Sequence, residues 1–277
     1  MTKNLIYLLV FAFGFTFVSC DKDNNNESES DVSVNTISVK WEISDSNSPY
    51  ASFEFNKDGN YIVVEREGAS SKSSNTSLKA SLFKNNISKV ASMRSSESES
   101  NLSPIHFGTY QIDGDKIILS GFGLIEVINI TAEEFSFSFT LAATGEKNGF
   151  VAQKSAELIS SSNRTDMLCR TWYCEKVTAT ESALEEDAER IEELIDEMTG
   201  MSFLFSKAGT YLCLYTNGEA GLAEWKWANN EETKFYFSWD NWTAELDEED
   251  MATINQLSAN SLVIQDYMFV YHLTLKN

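Results

Sequence analysis

Four cysteines, two histidines and a surplus of carboxylates hold whatever reactive chemistry this 277-residue chain has. A histidine works as a general base only with a nucleophile or an orienting acid beside it. His106 comes just before an alternating stretch, and His272 faces away from its neighbours Tyr271 and Leu273, so it is expected on an outer face. Neither has a serine or cysteine partner at a telling spacing. No G-x-S-x-G, H-E-x-x-H or phosphate-loop pattern occurs. No catalytic residue is expected.

Cys169, Cys174 and Cys213 have no histidine close by in the sequence. Structural zinc takes four Cys or His ligands, so no metal and no cofactor are expected. Cys174 and Cys213 stand where an apolar core residue belongs, on what read as neighbouring strands. A Cys174–Cys213 disulfide is one reading in an exported chain; two buried apolar thiols are the other. The carboxylates crowd between Glu181 and Glu197. Calcium loops gather oxygens on a tightly turned backbone, whereas a helix spreads them, so a solvated helix face is the expectation.

Tryptophan is the last group with binding chemistry. Trp225, Trp227 and Trp239 fit inward strand positions. Trp242 falls in the turn Asp240-Asn241-Trp242-Thr243, where its ring, flanked by Asp240 and Asn241, is placed to stack on a sugar. Folding back onto the core is the alternative.

The elements that position these groups begin with an address. Lys3, the apolar run Leu5 to Val18 and a terminal Ser19-Cys20 have the form of a signal peptide, too short to span a bilayer. Phe17-Val18-Ser19-Cys20 resembles the bacterial lipobox, with Phe17 where that pattern favours Leu. The resemblance implies a signal over 1–20, lipid on Cys20 and a membrane as partner. An ordinary cleaved signal is the other reading. The polar run after it, Asp21 to Asp31, buries nothing and reads as a disordered tether over 21–35. Its acidity resembles the surface-export signal of Bacteroidetes lipoproteins, which implies an outer-membrane or cell-surface location. A net charge of −21 repels phosphate backbones, so nucleic acid is not an expected partner.

A repeat organises the remainder. Phe53 to Tyr61 and Phe203 to Tyr211 both read F-x-F-x-K-x-G-x-Y. Alternating aromatics and a turn glycine make this a hairpin. Trp41 precedes the first copy as Trp172 precedes the second. Ile130-Thr131-Ala132-Glu133-Glu134-Phe135 follows the first as Leu257-Ser258-Ala259-Asn260-Ser261-Leu262 follows the second. Two homologous domains are expected, 36–159 and 166–277. The first carries a Ser-rich insertion from Gly68 to Pro104, with helical spacing from Leu78 to Met93. The second carries an acidic amphipathic helix with Leu184, Ala188, Ile191, Leu194, Ile195 and Met198 on one face, started by Thr180 or Ser182 and ended by Gly200. Elsewhere the pattern has period two, as in Phe135, Phe137, Phe139 and Leu141, which predicts antiparallel barrels or sandwiches.

The early tryptophan, the F-x-F-x-x-x-G-x-Y hairpin, the Thr/Ser-Ala turn and the strand Phe107-Gly108-Thr109-Tyr110 resemble the lipocalin-like domains of Bacteroidetes lipoproteins. The resemblance implies two small antiparallel lipocalin-like β-barrels in tandem. The second copy has Ala223-Glu224-Trp225-Lys226-Trp227 where a Gly-x-Tyr strand is expected. The functional expectation is a binding module for a small apolar or carbohydrate ligand. The other class is an accessory or scaffold subunit of a surface protein complex, using outer apolar positions such as Met268 and Val270.

Overall fold

The computed structural model describes residues 32–66, 105–159, 161–184, 188–218, 220–238, 242, 246 and 250–276. Cys20, the 21–31 run, the helical spacing within 68–104, Trp239, Asp240 and Asn241 lie outside the described residues.

Period-two alternation gives strands whose inner face is apolar, and such strands are most stable when no edge is left unpaired. The chain meets that demand twice. β1 (Lys40–Ile43), β2 (Tyr50–Phe55), β3 (Asn60–Glu65), β4 (Ile105–Asp113), β5 (Lys116–Leu119), β6 (Gly123–Ile130), β7 (Glu134–Leu141) and β8 (Lys147–Lys154) run up and down, and β8 pairs back to β1. β9 (Thr171–Ala179), β10 (Ser202–Phe205), β11 (Thr210–Leu214), β12 (Ala220–Trp227), β13 (Lys234–Ser238), β14 (Met251–Leu257), β15 (Ser261–Gln265) and β16 (Phe269–Leu275) do the same, with β16 pairing back to β9. The protein is therefore mostly β: two closed eight-stranded antiparallel barrels in tandem.

The repeat holds at the level of register. Phe53 pairs with Trp41 on one side and Val63 on the other; Phe203 pairs with Trp172 and Cys213. A bulge interrupts β6 at Val127/Asn129, and another interrupts β14 at Ile254/Gln256. The turns that follow close alike: Thr131 Oγ1 accepts from Glu134 N at 2.9 Å, and Ser258 Oγ accepts from Ser261 N at 3.1 Å.

A short helix leads into each barrel, α1 (Val34–Ile37) and α2 (Asn163–Leu168), capped by Ser33 and Ser162. Each ends four residues before the tryptophan whose indole it holds. Trp41 Nε1 donates to Ile37 O at 3.1 Å, and Trp172 Nε1 donates to Leu168 O at 2.9 Å. The two units thus start a few residues before the expected 36 and 166. The acidic helix is present as α3 (Glu181–Leu184) and α4 (Ala188–Met198). Thr180 Oγ1 accepts from Ala183 N, and Gly200 follows α4. Ile191, Leu194 and Met198 are buried in the core of the second barrel.

The second copy's missing Gly-x-Tyr has a physical explanation. β12 occupies the place of β4: Tyr61 pairs with Gly108 and Tyr211 with Ala223. Tyr110 Oη donates to Asn56 O at 3.0 Å, and Trp225 Nε1 donates to Ser206 O at 2.9 Å. An indole thus makes the hydrogen bond that a phenol makes in the first copy, to the same carbonyl of the hairpin.

Eight strands enclose a space that side chains just fill, or that holds one small ligand. Here side chains fill it. Phe53, Phe135, Phe137 and Phe139 are at most 2% exposed. Their rings meet edge to face or stacked at 4.5–5.6 Å, as in Phe53–Phe137, Phe53–Phe139 and Phe135–Phe137. In the second barrel Phe205 contacts Tyr211, Trp225 and Phe235 at 4.8–5.7 Å.

The barrels dock through the outer faces of corresponding strands. Ile62 of β3 packs with Leu204, Leu212 and Ala220 of β10–β12, joined by Phe107 and Leu222. This is why β10 is buried at every position. A strand covered on both faces loses its alternation.

Candidate functional site

The F-x-F-x-K-x-G-x-Y hairpins help to build a concavity between the two barrels. In each, the turn closes through the residue after the second aromatic: Gly59 N donates to Asn56 O at 3.0 Å, and Gly209 N to Ser206 O at 3.1 Å. Gly59 and Gly209 have φ of +85° and +82°, a region that a side chain disfavours. The lysine between them is therefore carried at the tip, Lys57 in one copy and Lys207 in the other. Both tips face a cleft of about 760 Å³ between the barrels.

Polar contacts across the domain boundary fix that cleft. Asp58 Oδ2 accepts from Thr171 N at 2.9 Å and from Thr171 Oγ1 at 2.6 Å. Asn60 Nδ2 donates to Thr171 Oγ1 at 3.0 Å. Glu54, only 3% exposed, accepts from Thr210 Oγ1 at 2.7 Å. Burial pushes the Glu54 carboxyl above the usual range, and hydrogen bonds from Ser206 and Thr210 only partly offset this. Asn56 Nδ2 lies buried at the cleft wall without a hydrogen-bond partner among the described residues.

The cleft's charge runs against that of the chain. Carboxylates outnumber cations by 42 to 21 overall. In the lining the order reverses: Lys40, Lys57, Lys154, Arg170, Lys207 and Lys276 face four carboxylates. Lys207 pairs with Asp166 at 2.5 Å and Lys154 with Glu157 at 3.6 Å. Arg170 donates to the carbonyls of Ala259 and Asp166, and Lys276 to Ser202 Oγ. Lys57 is exposed and has no ion pair among the described residues.

Cys169 lines this cleft, whereas Cys174, Cys213, His106, His272 and Trp242 do not. Cys174 and Cys213 are not bridged; both thiols are free and buried. The expectation of neighbouring strands is corrected by the topology, because β10 runs between β9 and β11. Two strand spacings separate their Cα atoms by about 9.5 Å, beyond disulfide reach. Cys174 Sγ donates instead to Lys176 O, and burial pushes both thiols up to about 12. Thermal unfolding is expected to have the same midpoint with and without a thiol reductant. Loss of a real bridge would cost about 2–5 kcal/mol and lower it by several degrees.

His106 is not ahead of a strand but inside β4, paired with the inward Val63. It stacks on Phe122 at 4.0 Å and contacts Glu65 Oε1 at 2.7 Å. His272 is half-buried on β16, paired with Val263 and Lys176. The two histidines are on different barrels and do not form one site. Trp242 has φ +59° and is half-buried, with Lys226 Nζ 4.0 Å above its ring centroid. One face of the ring is therefore taken by a cation, and Trp242 is not part of the cleft.

A polar cluster missed by the sequence reading lies inside the second barrel beside α4. Tyr271 Oη donates to Asp266 Oδ2 at 2.8 Å and contacts Met198 Sδ at 3.6 Å. Asp266 Oδ1 accepts from Met268 N and Phe269 N. Burial raises the Asp266 carboxyl and the phenols of Tyr211 and Tyr271. Every side-chain polar atom of Asp266 and Tyr271 is engaged, so the cluster anchors the β15–β16 turn. The lysines of the hairpin motif were legible, since both copies carry one at the same position. Their convergence was not.

No protein-family model matches the chain, and no curated protein matches it. What the fold and the cleft define is a class: a tandem of two filled, closed eight-stranded barrels docked side by side. No helix of the described residues is long and apolar enough to cross a membrane.

Proposed function

We propose that this protein is a surface-held binding module whose ligand sits between its barrels rather than within them. The observation that carries this is the pairing of filled interiors with an open cleft of about 760 Å³, a size suited to a small ligand. The apolar-ligand version of the reading loses its support, because the apolar space is taken by the protein's own rings. A carbohydrate suits the lining better: the polar residues Ser38, Asn56, Ser155 and Ser206 line it among the charges. The reading is of binding, not catalysis, with the resemblance to lipocalin-like domains describing the scaffold.

The location belongs to the same proposal. Lipid on Cys20, followed by a polar tether, would hold the module at the outer membrane or cell surface. A second reading, an accessory subunit of a surface complex, is favoured by Ile128, 70% exposed, and Val151, 52% exposed. They flank Ser136 on the outside of the first barrel.

Native mass spectrometry of the full chain recovered from its host tests the first reading. A retained small mass is expected, and Ala208→Trp, which pushes an indole into the cleft, is expected to reduce it sharply. A mass retained equally by that variant would place the ligand elsewhere. A retained protein would favour the scaffold reading.

A further inference from the structure

We propose that the cleft takes a small polyhydroxylated polyanion, an acidic oligosaccharide, with Lys57 and Lys207 as its charge-reading residues. This rests on the reading of the cleft as a binding site and adds the charge of the occupant. Four observations support it.

The first is concentration. Six of the chain's 21 Lys and Arg residues line one cleft. In a chain this acidic, cations scattered on the surface would find carboxylates readily. The second is that the cleft's carboxylates are already committed. Asp58 is held by two hydrogen bonds from Thr171, Glu54 by Thr210, and Asp166 and Glu157 by lysines. Glu54 is also raised toward its neutral form by burial. Lys57, Arg170 and Lys276 remain without a carboxylate partner among the described residues.

The third is placement. Each copy of the hairpin offers its lysine at a turn tip fixed by Gly59 or Gly209. Both lysines are therefore carried on tight turns from two different barrels, which suits a ligand with more than one negative group. The fourth is the lining between the cations. It includes several serine and asparagine residues, and Asn56 Nδ2 at its wall has no hydrogen-bond partner among the described residues. A ligand bearing hydroxyls satisfies such groups, whereas an isolated inorganic anion leaves most of them to water.

The test is calorimetric titration of the full chain, in detergent, with three probes: trigalacturonate, the neutral trisaccharide maltotriose, and inorganic phosphate. Trigalacturonate is expected to bind at least about tenfold more tightly than either of the others. Lys57→Gln, at an exposed tip with no ion pair among the described residues, is expected to weaken it about threefold to fivefold, and Lys57→Gln with Lys207→Gln about tenfold or more. Unfolding midpoints and circular dichroism check that the variants remain folded.

Equal binding of maltotriose and trigalacturonate would overturn the charge inference while leaving the cleft reading intact. Phosphate binding as tightly as trigalacturonate would overturn the saccharide part and leave a simple anion site. Binding of trigalacturonate that survives Ala208→Trp would sink the cleft reading as well as this one. No binding of any probe would overturn the inference and leave the host-recovered mass to judge the cleft.

Discussion

Trp172→Ala is expected to lower the stability of the second barrel by about 3–5 kcal/mol and its unfolding midpoint by at least about 10 °C. Trp172 is fully buried where α2, β9 and β10 meet. Its ring fills the base of the barrel, and its Nε1 donates to Leu168 O. Truncation removes a large apolar surface, leaves a cavity under α2 and orphans a buried carbonyl, three costs that act together. Trp172→Phe keeps most of the ring and is expected to cost much less. Trp41→Ala is the matched case in the first barrel, with Ile37 O as the orphan. Since the two tryptophans serve separate interiors, either truncation is expected to split unfolding into two steps, the altered barrel first. Urea unfolding followed by far-ultraviolet circular dichroism checks this. A loss below about 1 kcal/mol would mean that neither tryptophan closes its barrel.

The second large effect concerns the joint between the barrels. Glu54 is buried there and its folded-state pKa is raised, chiefly by desolvation. A carboxyl raised on folding keeps a proton that the unfolded chain releases. Its stabilising contribution is therefore fully present below the unfolded value of 4.5 and is lost as pH rises through the folded value. Across that window one proton gives a slope of no more than about 1.4 kcal/mol per pH unit. Stability above pH 4.5 is expected to fall with pH more steeply in the natural protein than in Glu54→Gln. The variant keeps an acceptor for Thr210 Oγ1 and carries no charge to bury. Superimposable pH profiles of the two proteins would show that Glu54 does not titrate with folding.

Much of the architecture was legible because it is written in local periods. Phe135, Phe137 and Phe139 declare a strand with one buried face, and the burial pattern of β7 follows that alternation. The F-x-F-x-K-x-G-x-Y repeat declares two like units, and the register of Trp41–Phe53 matches that of Trp172–Phe203. Thr180 and Gly200 bracket the acidic helical region by the chemistry of helix ends. One further signal was available. Tyr61-Ile62-Val63-Val64 and Tyr211-Leu212-Cys213-Leu214 are continuous apolar runs, the mark of strands covered on both faces, and they are where the barrels dock.

Strand order was less legible where it decided chemistry. Cys174 and Cys213 both occupy inward positions, as sequence alternation required. Whether they can bond depends on the strand between them, and β10 holds them apart. His106 likewise acquired its Glu65 and Phe122 contacts only when β3 and β4 paired across a long insertion.

The sequence by itself determined two like β units, their hairpins and the lysine at each hairpin turn, because these follow from residue spacing within a dozen positions; closure of each unit into a barrel rests on the distant pairings β1–β8 and β9–β16. Only the tertiary structure decided that aromatic rings fill both interiors and that the two lysines share one cleft. Filling depends on how rings from several strands meet, and the cleft exists because apolar residues on the outer faces of β3 and β10–β12 press the barrels together. Neither is a local property, so neither could be read along the chain.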